Sequence, residues 1–377
     1  MKSIINYWKE EKLAREWLGS LQTVSPNQDL ILHVGPPKTG TSAIQQYCVT
    51  HRDLLRKHGY YYPSHPLNQN GVSAGHGYWI RQLEKRQTEA NRILRRCISA
   101  AKANGYTLLL SAEAFWRMPH KFNSIIGNSQ YRVQVVAMLR HPHDLAISRY
   151  NQAIKRNFYR EDIATFLEQR IQNSSDIGTF LGQWSQLAGP GNMIVTPYNK
   201  NKLLRAGMAQ TFLKILNIPK PMHIRRRNNR LINSSYLPEL LELKRRFNGI
   251  LTKDDIDLNS KIDFILQNAS DRHLQQRSSQ YPCHQTEVDE QTMRVLTTAC
   301  ASELDTISTL TTVPLESELC VQPYTANRSP LVELTLIQLD KAGVLSTIRQ
   351  RLSQFRAQPD LSHNDQRTIL QLEKLIT

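Results

Sequence analysis

The sequence is poor in the features that mark secreted, zinc-binding and membrane proteins. It has five cysteines among 377 residues, with no Cys-x-x-Cys pair and no cysteine–histidine cluster of zinc spacing. No apolar run approaches the roughly 20 residues that a membrane-spanning helix needs, and the first residues lack the apolar core of a signal peptide. These absences predict reduced cysteines, no transmembrane segment and a cytoplasmic location.

Aromatic and acidic residues are also scarce. Aromatic residues make up 7% of the chain and do not interleave with a basic stripe, as a surface that stacks nucleic-acid bases requires. Lysines and arginines number 48 against 32 acids, a formal net charge of +16. The surplus favours an anionic partner, such as a nucleotide, a sulfated or phosphorylated glycan, an acidic lipid or a nucleic acid. Of these, a nucleic-acid partner is not expected.

Five short apolar runs predict β-strands. Most are continuous rather than alternating, which is typical of strands buried on both faces of a parallel sheet. Helical patterns lie between them, beginning with Thr41–His58, which Gly59 ends as a C-cap. The alternation predicts an α/β fold, a parallel sheet of about five strands flanked by helices. The predicted strands are Leu30–Val34, Tyr60–Tyr62, Thr107–Leu110, Val133–Leu139 and Met193–Thr196.

Three segments are predicted along the chain. Residues 1–28 form an N-terminal amphipathic helix, which packs on the domain in preference to lying on a membrane surface. Residues 29–250 form the α/β domain. Residues 251–377 form a mostly helical C-terminal extension, because strand patterns stop near residue 235. The extension either covers the substrate or contacts another subunit, and the sequence predicts no oligomeric state.

The stretch after the first predicted strand reads Gly35-Pro-Pro-Lys-Thr-Gly-Thr-Ser42. Gly35 lets the chain turn off the strand, and Gly40 lets the backbone approach a ligand closely. A helix follows, whose N-terminal N–H groups favour an anion, and Lys38 adds a full positive charge. The loop is therefore a candidate phosphate cradle, and its candidate binding residues are Gly35, Lys38, Thr39, Gly40, Thr41 and Ser42.

This cradle differs from the loop of a nucleotide hydrolase. Such a loop places lysine and then Ser/Thr after the second glycine, for the phosphates and magnesium, with an acid at the end of another strand. Here Thr41 follows Gly40, and the strand Val133–Leu139 ends in Arg140. Only Glu113 offers a strand-end acid. The loop is P-loop-like, and no metal is expected to be required.

A second anion site is predicted where that strand ends. Arg140 follows the strand directly, and Ser148 comes eight residues later on a predicted helix. A strand-end arginine and a helix serine can converge on one phosphate, which the arginine contacts with two N–H groups. Taken alone, Arg140 is equally compatible with a structural ion pair.

The two stretches together resemble the sulfotransferases that use 3′-phosphoadenosine 5′-phosphosulfate (PAPS). That family's 5′-phosphosulfate loop reads roughly Gly-x-x-Lys-x-Gly-Thr-Thr/Ser, as residues 35–42 do. Its 3′-phosphate element is a strand, an arginine and a serine about eight residues later, often followed by Tyr-x-Gln, as in Tyr150-Asn-Gln152. Gly59-Tyr-Tyr-Tyr-Pro63 also resembles a motif of bacterial and glycan-type members. The resemblance covers about residues 29–235.

The resemblance implies a nucleotide-binding transferase that moves the sulfuryl group of PAPS to a hydroxyl, on a carbohydrate or glycolipid. Lys38 would contact the oxygen that bridges sulfate and phosphate, where a cation stabilises the transition state more than the ground state. Thr39–Ser42 would hold the 5′-phosphate, and Arg140 with Ser148 the 3′-phosphate. Arg225-Arg-Arg-Asn-Asn229 either approaches the nucleotide or is a solvated basic loop.

Two residues are candidates for the base that activates the acceptor. In glycan-type members a glutamate follows the strand before the arginine–serine strand, and Glu113 holds that position, although Ala114 replaces the family's usual Lys or Ser/Thr. Other members use histidine, for which His76 is the candidate here. Two other functions stay open: an ATP- or GTP-dependent kinase or hydrolase, and a non-catalytic basic module that binds anions.

Overall fold

The structure is a computed structural model. It describes residues 12–67, 74–126, 131–170, 176–199, 202–203, 206–219, 236–277, 290–316, 339–340 and 343–376. The chain divides into two compact units. The sheet unit comprises Met1–Pro142, Asn173–Ile232 and Cys300–Glu318, and the helical unit comprises His143–Gln172, Asn233–Ala299 and Leu319–Thr377. The two units interleave along the chain, and the predicted segment boundaries at residues 28 and 250 stay predictions.

The sheet has five parallel strands, which confirms the predicted fold class. The strand order is β2-β3-β1-β4-β5, so the first strand of the sequence lies at the centre, as continuous burial predicts. β3 is two residues longer than predicted, so Glu113 follows it directly. The strands are β1 (Leu30–Val34), β2 (Tyr60–Tyr61), β3 (Thr107–Ala112), β4 (Val133–Leu139) and β5 (Met193–Pro197).

The register of the central strands determines where the segments that follow them leave the sheet. Val34 pairs with Ala112, and His33 pairs with Val136. Because all the strands run in one direction, the segments that follow β1, β3 and β4 emerge at the same edge. In open α/β sheets that edge is where ligands bind.

Helices account for most of the remaining described residues. They are α1 (Thr41–Thr50), α2 (Arg52–Lys57), α3 (Tyr78–Lys85), α4 (Gln87–Ala103), α5 (Asn123–Ile126), α6 (Pro142–Arg156), α7 (Ile163–Arg170), α8 (Asp176–Ala188), α9 (Met208–Ile215), α10 (Pro238–Phe247), α11 (Ile256–Arg277), α12 (Glu290–Leu310), α13 (Val344–Arg356) and α14 (His363–Leu375). Single-turn helices lie at Gly75–Gly77, Glu113–Phe115 and Pro119–Phe122. No helix among the described residues is both long enough and apolar enough to cross a membrane.

The predicted helix Thr41–His58 is broken into α1 and α2 at His51, whose ψ of 35° is not helical. The side chains of Thr50 and His51 both reach the Tyr47 carbonyl, each at 3.0 Å. Such side chains compete with the backbone for helical carbonyls and bend a helix. The break is therefore a local effect that apolar periodicity does not report.

The N-terminal segment packs on the sheet unit. Residues 12–19 are helical, and Ala14, Trp17 and Leu21 join a core cluster that includes Ile31 of β1 and Ile44 of α1. For these residues the structure agrees with the prediction that the N-terminal helix packs on the domain. Residues 1–11 lie outside the described residues.

Residues 251–377 contain helices and no strand where they are described, which confirms that the C-terminal extension is mostly helical. α13 packs on both α11 and α14, and Ile262, Ile348 and Ile369 are fully buried there. Residues 317–338 and 341–342, which precede α13, lie outside the described residues.

Candidate active site

Three adjacent strands bring three predicted site residues to one edge of the sheet. Lys38 follows β1, Glu113 follows β3 and Arg140 follows β4, and β1 pairs with both of the other strands. The convergence follows from parallel pairing alone, because the carboxyl ends of neighbouring parallel strands are neighbours.

The loop between β1 and α1 needs glycine at its first position. A methyl group added at Gly35 would overlap the Thr41 side chain, with the Thr41 hydroxyl as its closest contact. That hydroxyl is buried and has no hydrogen-bond partner in the described part of the chain. The turn is thus closed over a polar atom whose hydrogen-bonding capacity is unused within the described residues.

Two residues of the loop adopt left-handed backbone conformations. Gly40 has φ of 76°, and Lys38 has φ of 69° although it is not a glycine. For a residue with a side chain this conformation costs roughly 1–2 kcal/mol, and such strain is typical of functional loops. A side chain at Gly40 would also run into Met208. The loop therefore holds Lys38 in a fixed, half-buried position.

The start of α1 is open to an anion. Gly40 caps the helix without a side chain, and no acidic residue lies in the first turn. The Thr39 hydroxyl donates to the Pro36 carbonyl at 2.7 Å, so this side chain ties the loop together, and only its backbone N–H is left for a ligand. Ser42 is half-buried at the second helical position. The positive end of the helix dipole thus faces the loop without a competing carboxylate.

Arg140 reaches from β4 to the loop. Its Nη1 atom lies 3.5 Å from the Lys38 carbonyl oxygen, a long hydrogen bond that a stronger acceptor can displace. The guanidinium also stacks 5.3 Å from the ring centre of Tyr198, which follows β5. The Nε atom of Arg140 is buried and has no partner among the described residues. A cation with an unused buried donor therefore lies beside the loop.

Glu113 is electrostatically linked to the same loop. Desolvation raises the pKa of Glu113, although the residue keeps an exposed surface, and the charge of Lys38 opposes that rise. The carboxylate and the ammonium are thus close enough to influence each other across β1 and β3.

His76 lies in a buried network instead of at the sheet edge. Its Nδ1 accepts the Ser111 N–H at 3.0 Å, so its Nε2 is the donor to the Pro63 carbonyl at 3.1 Å. The side chain is fully buried, and desolvation lowers its pKa to about 4. Both ring nitrogens are already engaged, which leaves none for an acceptor hydroxyl in this conformation.

His33, which lies inside β1 one residue before its end, was not among the predicted site residues. Its Nδ1 is 2.8 Å from the Ser111 hydroxyl, and desolvation lowers its pKa to about 4. Its Nε2 has no partner in the described ranges. A histidine within an otherwise apolar strand was the available signal. Tyr198 was missed too, although it follows a strand end as Glu113 and Arg140 do.

Two other predicted features are not joined to this group. Ser148 is half-buried on α6, in the helical unit, and its pairing with Arg140 on one phosphate stays a prediction. Arg225–Asn229 lies outside the described residues. Within the described ranges, no three His, Cys, Asp or Glu side chains gather closely enough to hold a metal ion.

The solved structures to which this chain is similar include two sulfotransferase domains. No family model matches the chain, and neither does any curated protein. The sulfotransferase domain of the olefin synthase of Synechococcus PCC 7002 is 13% identical with a TM-score of 0.31, over 54% of this chain and 76% of that chain. The sulfotransferase domain from the curacin biosynthetic pathway is 11% identical with a TM-score of 0.31, over 53% and 77%.

Proposed function

We propose that the chain is a PAPS-dependent sulfotransferase that acts on a hydroxyl of a carbohydrate or glycolipid. One observation carries the proposal: Lys38, Glu113 and Arg140 meet at the ends of three adjacent strands, around a loop with an open helix N-terminus. A cytoplasmic location is part of the proposal, since the widely spaced cysteines suit a reducing compartment.

The proposed reaction is a single displacement at sulfur. The acceptor oxygen forms a bond to sulfur, and the bond from sulfur to the oxygen of the 5′-phosphate breaks. Glu113 takes the acceptor's proton, and adenosine 3′,5′-bisphosphate leaves with the electron pair of the broken bond. Lys38 stabilises the negative charge that grows on the leaving oxygen, which is transition-state stabilisation.

The unpartnered atoms suit the two phosphates of such a donor. The Thr41 hydroxyl and the N–H groups at the start of α1 are donors for the 5′-phosphate. Arg140, whose Nε has no partner among the described residues and whose bond to Lys38 is displaceable, is a donor for the 3′-phosphate. Charge neutralisation comes from Lys38 and Arg140, so the proposal requires no metal.

Between the two candidate bases, the contacts favour Glu113. A general base must reach the proton that it removes, and Glu113 is exposed at the edge while His76 is buried with both nitrogens engaged. In the proposal, His76 positions the Ser111 backbone just before Glu113.

A thermal-shift comparison of nucleotides tests the proposal. Adenosine 3′,5′-bisphosphate should raise the melting temperature without magnesium, since a ligand at 100 times its Kd stabilises the folded state by about 2.7 kcal/mol. Adenosine 5′-phosphate, which lacks the 3′-phosphate, should give a smaller shift, and Arg140→Ala should abolish the difference between them.

The same experiment separates the alternatives. A kinase or hydrolase should respond to ATP with magnesium and be indifferent to the 3′-phosphate. A basic anion-binding module should respond to neither nucleotide selectively. Either outcome would reject the sulfotransferase proposal.

A further inference from the structure

A groove of about 610 Å³ in the sheet unit lies apart from the candidate active site. It is formed by α4, the helix that leads into β3, and by Ser124 of the short α5. Ligand pockets in proteins commonly have volumes of 300–1,000 Å³. The groove is lined by Thr88, Asn91, Arg92, Arg95, Arg96, Ser99 and Ser124.

The cations of this groove follow one face of a helix. Arg92, Arg95 and Arg96 are spaced i, i+3 and i+4 on α4, and all three are exposed. Like charges at i, i+4 destabilise a helix by about 0.2–0.5 kcal/mol. Among the described residues, no salt bridge involves any of these three arginines. The acid closest to them on α4, Glu89, pairs with Arg86 instead. The described lining residues carry three positive charges and no acid.

Two polar atoms of the groove lack partners. Asn91 is only 8% exposed, yet its Oδ1 has no hydrogen bond in the described part of the chain, and neither has the buried hydroxyl of Ser124. An unsatisfied buried polar atom costs about 1–3 kcal/mol. Asn91 Oδ1 can only accept a hydrogen bond, so it calls for a ligand that also carries donors.

We propose that this groove binds an acidic polysaccharide. The three arginines pair with its carboxylate or sulfate groups, and Asn91 and Ser124 bond its hydroxyls. A nucleic acid fits less well, because none of the described lining residues has an aromatic ring on which bases could stack. The proposal does not rest on the sulfotransferase reaction, since binding in the groove needs neither Lys38 nor a nucleotide.

Binding of defined polymers to the full chain tests the proposal. Polygalacturonate and dextran sulfate supply carboxylate and sulfate, neutral dextran supplies hydroxyls alone, and a dT20 oligonucleotide supplies phosphates. Arg92→Gln/Arg96→Gln leaves Arg95 and its bond to the Ser124 carbonyl intact, so the fold is kept. The matched control is Arg272→Gln/Arg367→Gln, two exposed arginines of the helical unit with the same loss of charge.

At least one acidic polysaccharide should bind, and the groove variant should weaken its Kd at least tenfold while the control changes it less than threefold. Ser124→Ala should weaken it two- to fivefold with an unchanged dependence on salt, because it removes a hydroxyl and no charge. If both double variants lose affinity equally, the effect comes from net charge alone and the proposal is overturned. A failure of both acidic polysaccharides to bind, or tighter binding of dT20, would overturn it too.

Discussion

Two polar clusters of this chain are satisfied to different degrees. In the sheet unit, the edge cluster (Thr41, Arg140 and Thr196) contains three buried polar atoms without partners in the described ranges. In the helical unit, the lysine cluster (Lys244, Asn248, Tyr236 and Asp263) bonds internally: Lys244 donates to Asn248, and Tyr236 donates to Asp263. Asn248 also donates to the Ile154 and Tyr159 carbonyls, each at 2.8 Å.

The difference indicates different roles. A buried polar atom without a partner destabilises the free protein by about 1–3 kcal/mol, so three at one sheet edge are a cost that a bound ligand can remove. A network whose polar atoms are hydrogen-bonded to one another has no unsatisfied atom for a ligand to bond. It instead fixes how the surrounding helices pack. Substitutions in the edge cluster should therefore change ligand binding. Substitutions in the lysine cluster should change the free energy of unfolding instead.

The largest expected effect is on turnover. Lys38→Ala should lower kcat for sulfuryl transfer by about 100- to 1,000-fold, as removal of one transition-state donor does in other enzymes. The shift in melting temperature with adenosine 3′,5′-bisphosphate should shrink but not vanish, because Arg140 and the N–H groups at the start of α1 still bind the phosphates. Steady-state kinetics and thermal shift measure the two effects.

Lys57→Ala is the control for that variant, since Lys57 is an exposed lysine at the end of α2. It should leave both measurements unchanged. If Lys38→Ala keeps more than a tenth of the wild-type kcat, the edge of the sheet is not where the reaction takes place.

Gly35→Ala should destabilise the chain by about 1–3 kcal/mol, because the added methyl overlaps the Thr41 side chain. The double variant Gly35→Ala/Thr41→Ala removes the overlapping atoms and should recover part of that loss. Urea unfolding of the wild type, both single variants and the double variant gives the coupling free energy. Additive losses would mean that the loop does not close over Thr41.

Much of the sheet and part of the candidate active site can be predicted from the sequence. Strand bounds follow from short apolar runs, which are local, and the meeting of Glu113 with Lys38 follows from the rule that parallel strands end at one edge. The burial of His76 could not be predicted, because it depends on a bond to Ser111, 35 residues away. The hydrogen bond from the Thr39 hydroxyl to the Pro36 carbonyl could not be predicted either, since a threonine at this position is equally suited to bind phosphate directly.

The arginine groove shows the same limit. The spacing of Arg92, Arg95 and Arg96 is visible in the sequence as one helix face. That Ser124 completes the groove depends on tertiary packing, since Arg95 reaches the Ser124 carbonyl across 29 residues of chain. Local patterns therefore predict which residues share a face, and distant contacts decide what that face encloses.

The contribution of the lysine cluster to the free energy of unfolding should depend on pH. Desolvation lowers the pKa of Lys244 from 10.5 to about 7, and Asp263 opposes this. Between these values the unfolded chain holds a proton that the folded chain lacks, so folding becomes more favourable as pH rises. Below about pH 7 the full cost of burying the charge is present.

Lys244→Met should therefore be more stable than the wild type at pH 6. Its advantage should shrink by roughly 1.4 kcal/mol for each pH unit between about 7 and 10. Lys253→Met, which changes an exposed lysine, should show no such trend. Urea unfolding at pH 6, 8 and 9.5 measures the difference, and an advantage that is constant with pH would exclude a neutral buried lysine.

The smallest effects compare the two clusters directly. Thr41→Val removes an unpartnered hydroxyl at nearly constant shape, so it should stabilise the free protein by about 1 kcal/mol and weaken adenosine 3′,5′-bisphosphate binding about fivefold. Tyr236→Phe removes a hydroxyl that bonds Asp263, so it should destabilise the protein by about 1 kcal/mol and leave nucleotide binding unchanged. Unfolding free energies and calorimetric titration of both variants check the opposite signs. If both substitutions destabilise the free protein equally, the Thr41 hydroxyl has a partner within the fold and is not held for a ligand.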